Sequence, residues 1–245
     1  MQTRGVEWTV TTWNLQGSER TDIAEVARTV TRESPDVVVL QEVRRSQDEE
    51  LARALSMSST WAPKHNPFHP FLASRTEGAS ILTPHRLLDV GSAVVSDATS
   101  WRTYRRRIAV WATVERGDAS GYRVYGLHLS PHDGDARRRE ADRVARIVAS
   151  HPPSPPAIVA GDLNDAHDPE IVGRLPGVEH LVPAPTNPSD DPTQVLDHVL
   201  VPVEATSVAV TVPAGGDAAA RVSDHLPVTV RFTLGWVGSG IELGG

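Results

Sequence analysis

Cysteine is absent from the 245 residues, which excludes a disulfide framework and thiolate chemistry. Aromatic residues are scarce at 5%, and no internal repeat or low-complexity stretch marks a domain boundary. No apolar run approaches the roughly 20 residues needed to span a bilayer. Basic excess is missing too. The formal charge of −7 argues against a general nucleic-acid coat, although acidic metal ligands lower net charge and a bound divalent cation would reverse the field around a phosphate. The leading Met1-Gln2-Thr3-Arg4-Gly5 enters a strand pattern without the apolar region of a signal peptide, so a cytoplasmic location is expected. With 39% hydrophobic and 22% charged residues, the chain reads as globular. One domain over residues 1–234 and a loose tail over 235–245 are expected.

Val6–Trp13 alternates and is rich in Val, Thr and Trp, as in a strand. Ile23, Val26, Ala27 and Val30 then share one helical face, with Ser18 or Thr21 able to cap the helix and Pro35 to stop it. Val37–Leu40 reads as a strand buried on both faces, and Leu51 and Leu55 suggest a second helix. Residues 60–77 read as a loop in which His65, Phe68, His69 and Phe71 could contact substrate or pack on the domain edge. Strands are predicted near Ala79–Leu82, Leu87–Val95, Ile108–Val114, Tyr122–Leu129, Ala157–Ala160, Leu196–Val201, Ser207–Val212 and Leu226–Phe232, with a helix over Asp135–Ala149. Mixed hairpins and crossover helices point to a layered α/β fold.

Polar motifs close the apolar runs: Trp13-Asn14-Leu15, Gln41-Glu42, Gly126-Leu127-His128-Leu129, Gly161-Asp162-Leu163-Asn164, Asp197-His198 and Ser223-Asp224-His225. Strand ends are where α/β folds gather their sites. Carboxylates and amide oxygens are hard donors suited to Mg²⁺, and a phosphoester hydrolase needs such a cation, a base for water and donors for the developing charge. Asn14 and Glu42 could hold the cation. Asp162 and Asn164, two residues apart in one turn, could face the same cleft. Asp197 could orient the ring of His225.

The ordered set WNLQG, QE, GLHLS, GDLN, LDHV and SDHLPV, spread over residues 6–232, resembles the endonuclease/exonuclease/phosphatase superfamily, which includes DNase I-like and exonuclease III-like enzymes. The resemblance implies a four-layer α/β sandwich of two packed mixed β-sheets with helices outside, and hydrolysis of phosphoesters with Mg²⁺ or Mn²⁺. By motif, Asn14 and Glu42 resemble the metal-binding pair, and Asp224 a further acidic residue near the metal. Asp162 resembles the residue that positions or deprotonates the attacking water, with Asn164 as its hydrogen-bonding neighbour. Asp197 and His225 resemble the couple that contacts the scissile phosphate. His128 stands where one branch has Tyr, which weakens an abasic-site endonuclease reading.

Taken singly, these residues have structural readings: Asp162 and Asn164 as a turn, Glu42 as a partner of Arg44 or Arg45, His128 as a core histidine. Their joint order favours catalysis. Arg107, preceding a strand, and Ser80, with Arg75, are candidate substrate contacts, whereas Arg137–Arg139 reads as a solvated helix start. The leading expectation is a metal-dependent phosphodiesterase or nuclease whose partner is a nucleic-acid phosphoester, acting as a monomer. A small-molecule or lipid-head-group phosphatase of the same superfamily and a non-catalytic binding relative are the alternatives.

Overall fold

The structure, a computed structural model, describes residues 5–235 apart from 18, 20, 65–73, 98–105, 118–120, 166–168, 176–177 and 181–183. Gly235, expected to open the tail, closes a strand paired with Gly5, while residues 236–245 and the histidines and phenylalanines of the 60–77 loop fall outside the described residues.

Side-chain alternation dictates the layering. In β1 (Gly5–Asn14), Trp8 and Val10 face one way and Trp13 the other; in β2 (Val37–Arg44), Val37 and Val39 oppose Val38 and Leu40. A strand apolar on both faces must be covered on both. The helices α1 (Ile23–Glu33) and α2 (Arg45–Leu55) cover one side, where Val26, Val30 and Leu51 pack on Trp13, Val38 and Leu40.

The chain continues through β3 (Ser58–Pro63), β4 (Glu77–Thr83), β5 (Arg86–Val94), β6 (Ile108–Glu115) and β7 (Gly121–His128). Then come α3 (Gly134–Ser150), β8 (Ala157–Asp162), α4 (Pro169–Gly173), β9 (Val178–His180), β10 (Asp197–Pro202), β11 (Thr206–Thr211) and β12 (Val228–Gly235). The first sheet has the order β11-β12-β1-β2-β4-β3 and the second β5-β6-β7-β8-β10-β9. Across both, the pairings read antiparallel, antiparallel, parallel, antiparallel, antiparallel. The second sheet therefore repeats the topology of the first, a duplication with no counterpart in the sequence. The central parallel pairs, β1/β2 and β7/β8, are each joined by a crossover helix, α1 or α3.

Between the sheets lies an apolar core that includes Trp8, Val39, Ile81, Val110, Val124 and Phe232. The far face of the second sheet is covered by α3 and α4, with Ala141, Val144 and Ile171 on Tyr125, Leu127 and Val159. The result is a four-layer α/β sandwich. Gly126 sets the sheet spacing locally: a Cβ there would lie 2.8 Å from Val39 Cγ1 and 2.9 Å from Val110 Cγ2.

Local details differ from the sequence expectations. The α1 cap is Asp22, whose side chain accepts from the Glu25 amide at 3.1 Å, while Thr21 Oγ1 donates to Leu15 O at 3.1 Å. The helix ends at Ser34, left-handed at φ 46°, one residue before Pro35. Residues 60–63, expected in a loop, belong to edge strand β3; its side chains are only partly covered, so it lacks an apolar alternation. No helix among the described residues is long and apolar enough to cross a membrane.

Candidate active site

A parallel strand flanked by an antiparallel one places the end of the first beside the start of the second. In the first sheet Asn14 closes β1, Glu42 lies near the end of β2 and Glu77 opens β4; in the second, His128, Asp162 and Asp197 take the same three places on β7, β8 and β10. These polar rims meet at one end of the sandwich. Asn14 Nδ2 donates to Asp162 Oδ2 at 3.0 Å across the sheets, and His128 Nδ1 lies 3.7 Å from Glu42 Oε1. The rims border an open cleft of ≈ 560 Å³ that Gln16, Lys64, Arg75, Arg107, Asn164, Asp224 and His225 also line.

The backbone beneath the cleft is strained. Gln16, Glu42 and Asn164 adopt left-handed φ values of 46°, 52° and 49°. Each such non-glycine conformation costs on the order of 1–3 kcal/mol and persists only where the surroundings fix it. Glu42 sits in a bulge between Gln41 and Val43, and its carbonyl accepts from the Gly17 amide at 2.7 Å. A Cβ on Gly17 would meet that oxygen at 2.3 Å, and one on Gly161 (φ 148°) would meet Leu127 O at 2.0 Å. Those contacts explain the glycines of WNLQG and GDLN.

Asp162 is buried at the centre. Its Oδ1 accepts from the Asn164 amide at 2.9 Å, while His128 Nε2 and His225 Nε2 lie 3.6 and 3.9 Å from Oδ2. Burial, reinforced by the Asp197 carboxylate, pushes its pKa up to about 7 against the pull of His225 and the Asn14 and Asn164 hydrogen bonds. For His225, burial opposes the charge, but Asp197, Asp162 and Asp224 outweigh it and raise the pKa to about 10. His128 goes the other way: burial, with Arg107, Lys64 and His225 nearby, holds it well below the usual imidazole range. The two histidines thus differ in charge around one carboxylate, a cation at His225 and a neutral ring at His128. Half-buried Asp224 is raised by burial and by Glu42, with His225 opposing, and its Oδ2 accepts from Gln16 Nε2 at 2.9 Å.

Two arrangements could hold a metal ion. Asp162, Asp197 and His225 offer ligand atoms within 4.8 Å of one another. In that group Asp197 is fully buried, and its Oδ2 is already tied to His225 Nδ1 and Thr186 Oγ1. The second arrangement is the hard oxygen set of Asn14, Glu42 and Asp224 lining the cleft. There the Lys64 ammonium stands 2.7 Å from Glu42 Oε1, so a cation is already held at that carboxylate, and the oxygen donors around it are of the type a divalent ion takes.

The structure brings Asn14, Glu42, His128, Asp162, Asn164, Asp224, His225, Arg75 and Arg107 to the cleft. Ser80 is a correction: it is fully buried and donates to Asp48 Oδ1, away from the cleft, because an outward-facing position on β4 lies under α2. Glu42 pairs with Lys64 and not with Arg44 or Arg45, since the bulge turns its side chain into the cleft. Asp197 reaches the cleft only through the ring of His225. Sequence reasoning missed Glu77, Thr186 and Lys64. Thr186 Oγ1 donates to Asp197 Oδ2 at 2.7 Å. Lys64 carried a signal, being the single lysine of the chain beside twenty-three arginines.

No curated protein sequence matches the chain. Among solved structures, an endonuclease/exonuclease/phosphatase from Bacteroides vulgatus superposes with a TM-score of 0.75 at 17% identity, covering 94% of this chain and 99% of that one. A Bacteroides thetaiotaomicron mannosyl-6-phosphatase gives 0.72 at 16% identity, with 92% and 99% covered. The human Nocturnin catalytic domain gives 0.67 at 19%, with 92% and 94% covered. At these identities the likeness is one of fold. The sequence model of the Endonuclease/Exonuclease/phosphatase family, whose members are hydrolases acting on phosphoesters, matches residues 11–225, from within β1 to His225, and the chain belongs to that family.

Proposed function

We propose that the chain is a divalent-metal-dependent phosphodiesterase that cleaves nucleic acid at this cleft. The observation that carries the reading is the Asp162–His225 arrangement, a carboxyl with a pKa near 7 and an imidazole with one near 10, set 3.9 Å apart in a cleft lined by hard oxygen donors. A base is most effective when its pKa lies near the working pH, and Asp162 meets that condition. Its carboxylate accepts the proton of the attacking water while Asn14 and Asn164 fix its two oxygens. The protonated His225, held by Asp197, faces the charge that grows on the phosphoryl oxygens. In the net reaction the water oxygen bonds to phosphorus, one ester P–O bond breaks and the leaving oxygen takes up a proton. Asn14, Glu42 and Asp224 are the groups that would hold Mg²⁺ or Mn²⁺, which when bound neutralises phosphate oxygen charge. Arg75 and Arg107 on the cleft wall supply positive charge for the rest of the substrate.

A second reading, a phosphatase of small anionic esters, is supported by the cleft lining. Among the described residues it contains no Phe, Trp or Tyr on which a base could stack. The mannosyl-6-phosphatase of the same fold suits that reading. The test is turnover of plasmid, oligonucleotide and sugar-phosphate substrates with Mg²⁺ and with Mn²⁺. Metal-dependent cleavage of nucleic acid supports the first reading, turnover of sugar phosphates alone supports the second, and no turnover of any substrate overturns both.

A further inference from the structure

Lys64 occupies an unusual place. It is the only lysine in a chain whose other long cations are all arginine. Its side chain is 11% exposed, and its ammonium lies 2.7 Å from Glu42 Oε1 and 3.8 Å from Glu77 Oε2. Its amide donates to Glu77 O at 2.8 Å, so the end of β3 fixes where the side chain starts. Glu42 and Glu77 are two acids on neighbouring strands, and without a cation between them their charges repel in a poorly solvated site.

We propose that Lys64 is a built-in competitor for the divalent cation at Glu42, neutralising the Glu42–Glu77 pair when no cation is bound and yielding Glu42 when one arrives. The proposal rests on the metal-dependent reading above. A monovalent ammonium within hydrogen-bond distance of a ligand oxygen both occupies a lone pair and repels an incoming divalent charge. Lysine suits this role where arginine would not. Its compact ammonium sits on a flexible stem and can swing away, whereas a guanidinium fork grips carboxylates bidentately. The competition sets the cation concentration at which the site fills, and it keeps the cleft neutralised in the empty protein. Once displaced, the ammonium still borders the cleft beside Arg75 and Arg107, on the wall that faces an anionic substrate.

The test uses the full chain stripped of metal, as wild type, Lys64→Met, Lys64→Gln and Lys64→Arg. Mn²⁺ affinity is read by electron paramagnetic resonance of the free ion, and melting temperature is read with and without Mg²⁺. Removing the ammonium should tighten Mn²⁺ binding by on the order of tenfold or more, because a full charge next to the ligand is lost. Lys64→Arg, which keeps the charge and grips more firmly, should bind no tighter than wild type. The metal-free neutral variants should melt below wild type and gain more from Mg²⁺ than wild type does. Unchanged or weaker Mn²⁺ affinity in the neutral variants, with the fold intact by circular dichroism, overturns the competitor role while leaving the metal-dependent reading in place. Absence of Mn²⁺ binding in all four proteins overturns both.

Discussion

Asp197 holds the ring of His225 from behind: its Oδ2 lies 2.7 Å from Nδ1 and accepts a second bond from Thr186 Oγ1 at 2.7 Å. Asp197 is fully buried, so its charge acts through the imidazole it orients. Asp197→Asn keeps the shape and removes the charge that supports the imidazolium. The His225 pKa, followed by proton NMR titration, should fall, and kcat should drop about 10²–10⁴-fold, as for the loss of a general acid–base or charge-stabilising group. An unchanged His225 titration would remove Asp197 from this role.

Asp162 should govern the acidic side of activity. Its carboxyl, raised to about 7, is protonated below that pH and can accept no proton, so the rate should fall as pH drops through 7. Asp162→Asn should lower kcat about 10²–10⁴-fold and erase that limb of the profile. A variant near the wild-type rate, or one that keeps the limb, would contradict the assignment.

Stability without metal should decline with rising pH. His225 has a folded pKa of about 10 against an ordinary 6.5, so its contribution is complete below 6.5 and disappears as pH climbs through 10. Asp162 acts in the same direction, because its folded pKa is also raised and its ionisation in the buried site is unfavourable. Melting temperatures in chelator should therefore fall between pH 6 and 10, and His225→Gln should flatten the upper part of that slope. A wild-type protein whose melting point is level across the range would refute the linkage.

Ser80 should matter to stability and not to turnover. It donates to the buried carboxylate of Asp48, which also accepts from Ser59 Oγ at 2.8 Å and ties α2 to β3 and β4. Burial raises the Asp48 pKa, and Ser80 is the first of the hydrogen bonds opposing that rise. Ser80→Ala should cost about 1–3 kcal/mol in a denaturant melt, since it leaves a buried acceptor short of a donor. Its kcat/KM should stay near wild type, whereas Arg107→Gln should raise KM. A large loss of turnover in Ser80→Ala at full occupancy of the folded state would return Ser80 to the site.

The existence and order of most strands and three of the helices were legible because period-2 and period-3.6 patterns survive in the sequence, although most strand ends fell a residue or more away from their predicted places. β1, β2 and α3 are examples, since each presents a continuous apolar face or pair of faces. The ordered polar motifs likewise marked Asn14, Glu42, His128, Asp162, Asn164, Asp224 and His225, and all seven line the cleft. β3 was not legible, as an edge strand with half-covered side chains has no strong alternation. Ser80 misled because a short polar side chain on a strand reads the same whether it faces a cleft or a buried carboxylate under a helix.

By itself the sequence determined the layered class, the strand-end positions of the polar motifs and the kinds of ligand they could offer, because these are properties of local pattern and side-chain chemistry. Tertiary structure alone decided which of those groups meet. Asn14 and Asp162 are 148 residues apart in sequence yet bonded across two sheets, and Lys64 reaches Glu42 from just beyond the end of β3. It also decided the charges. His128 and His225 are the same side chain, and burial with nearby cations pushes one toward the neutral form while Asp197, Asp162 and Asp224 hold the other as a cation. Proton affinity depends on the field and solvent around a group, and those are set by packing that no local stretch of sequence contains.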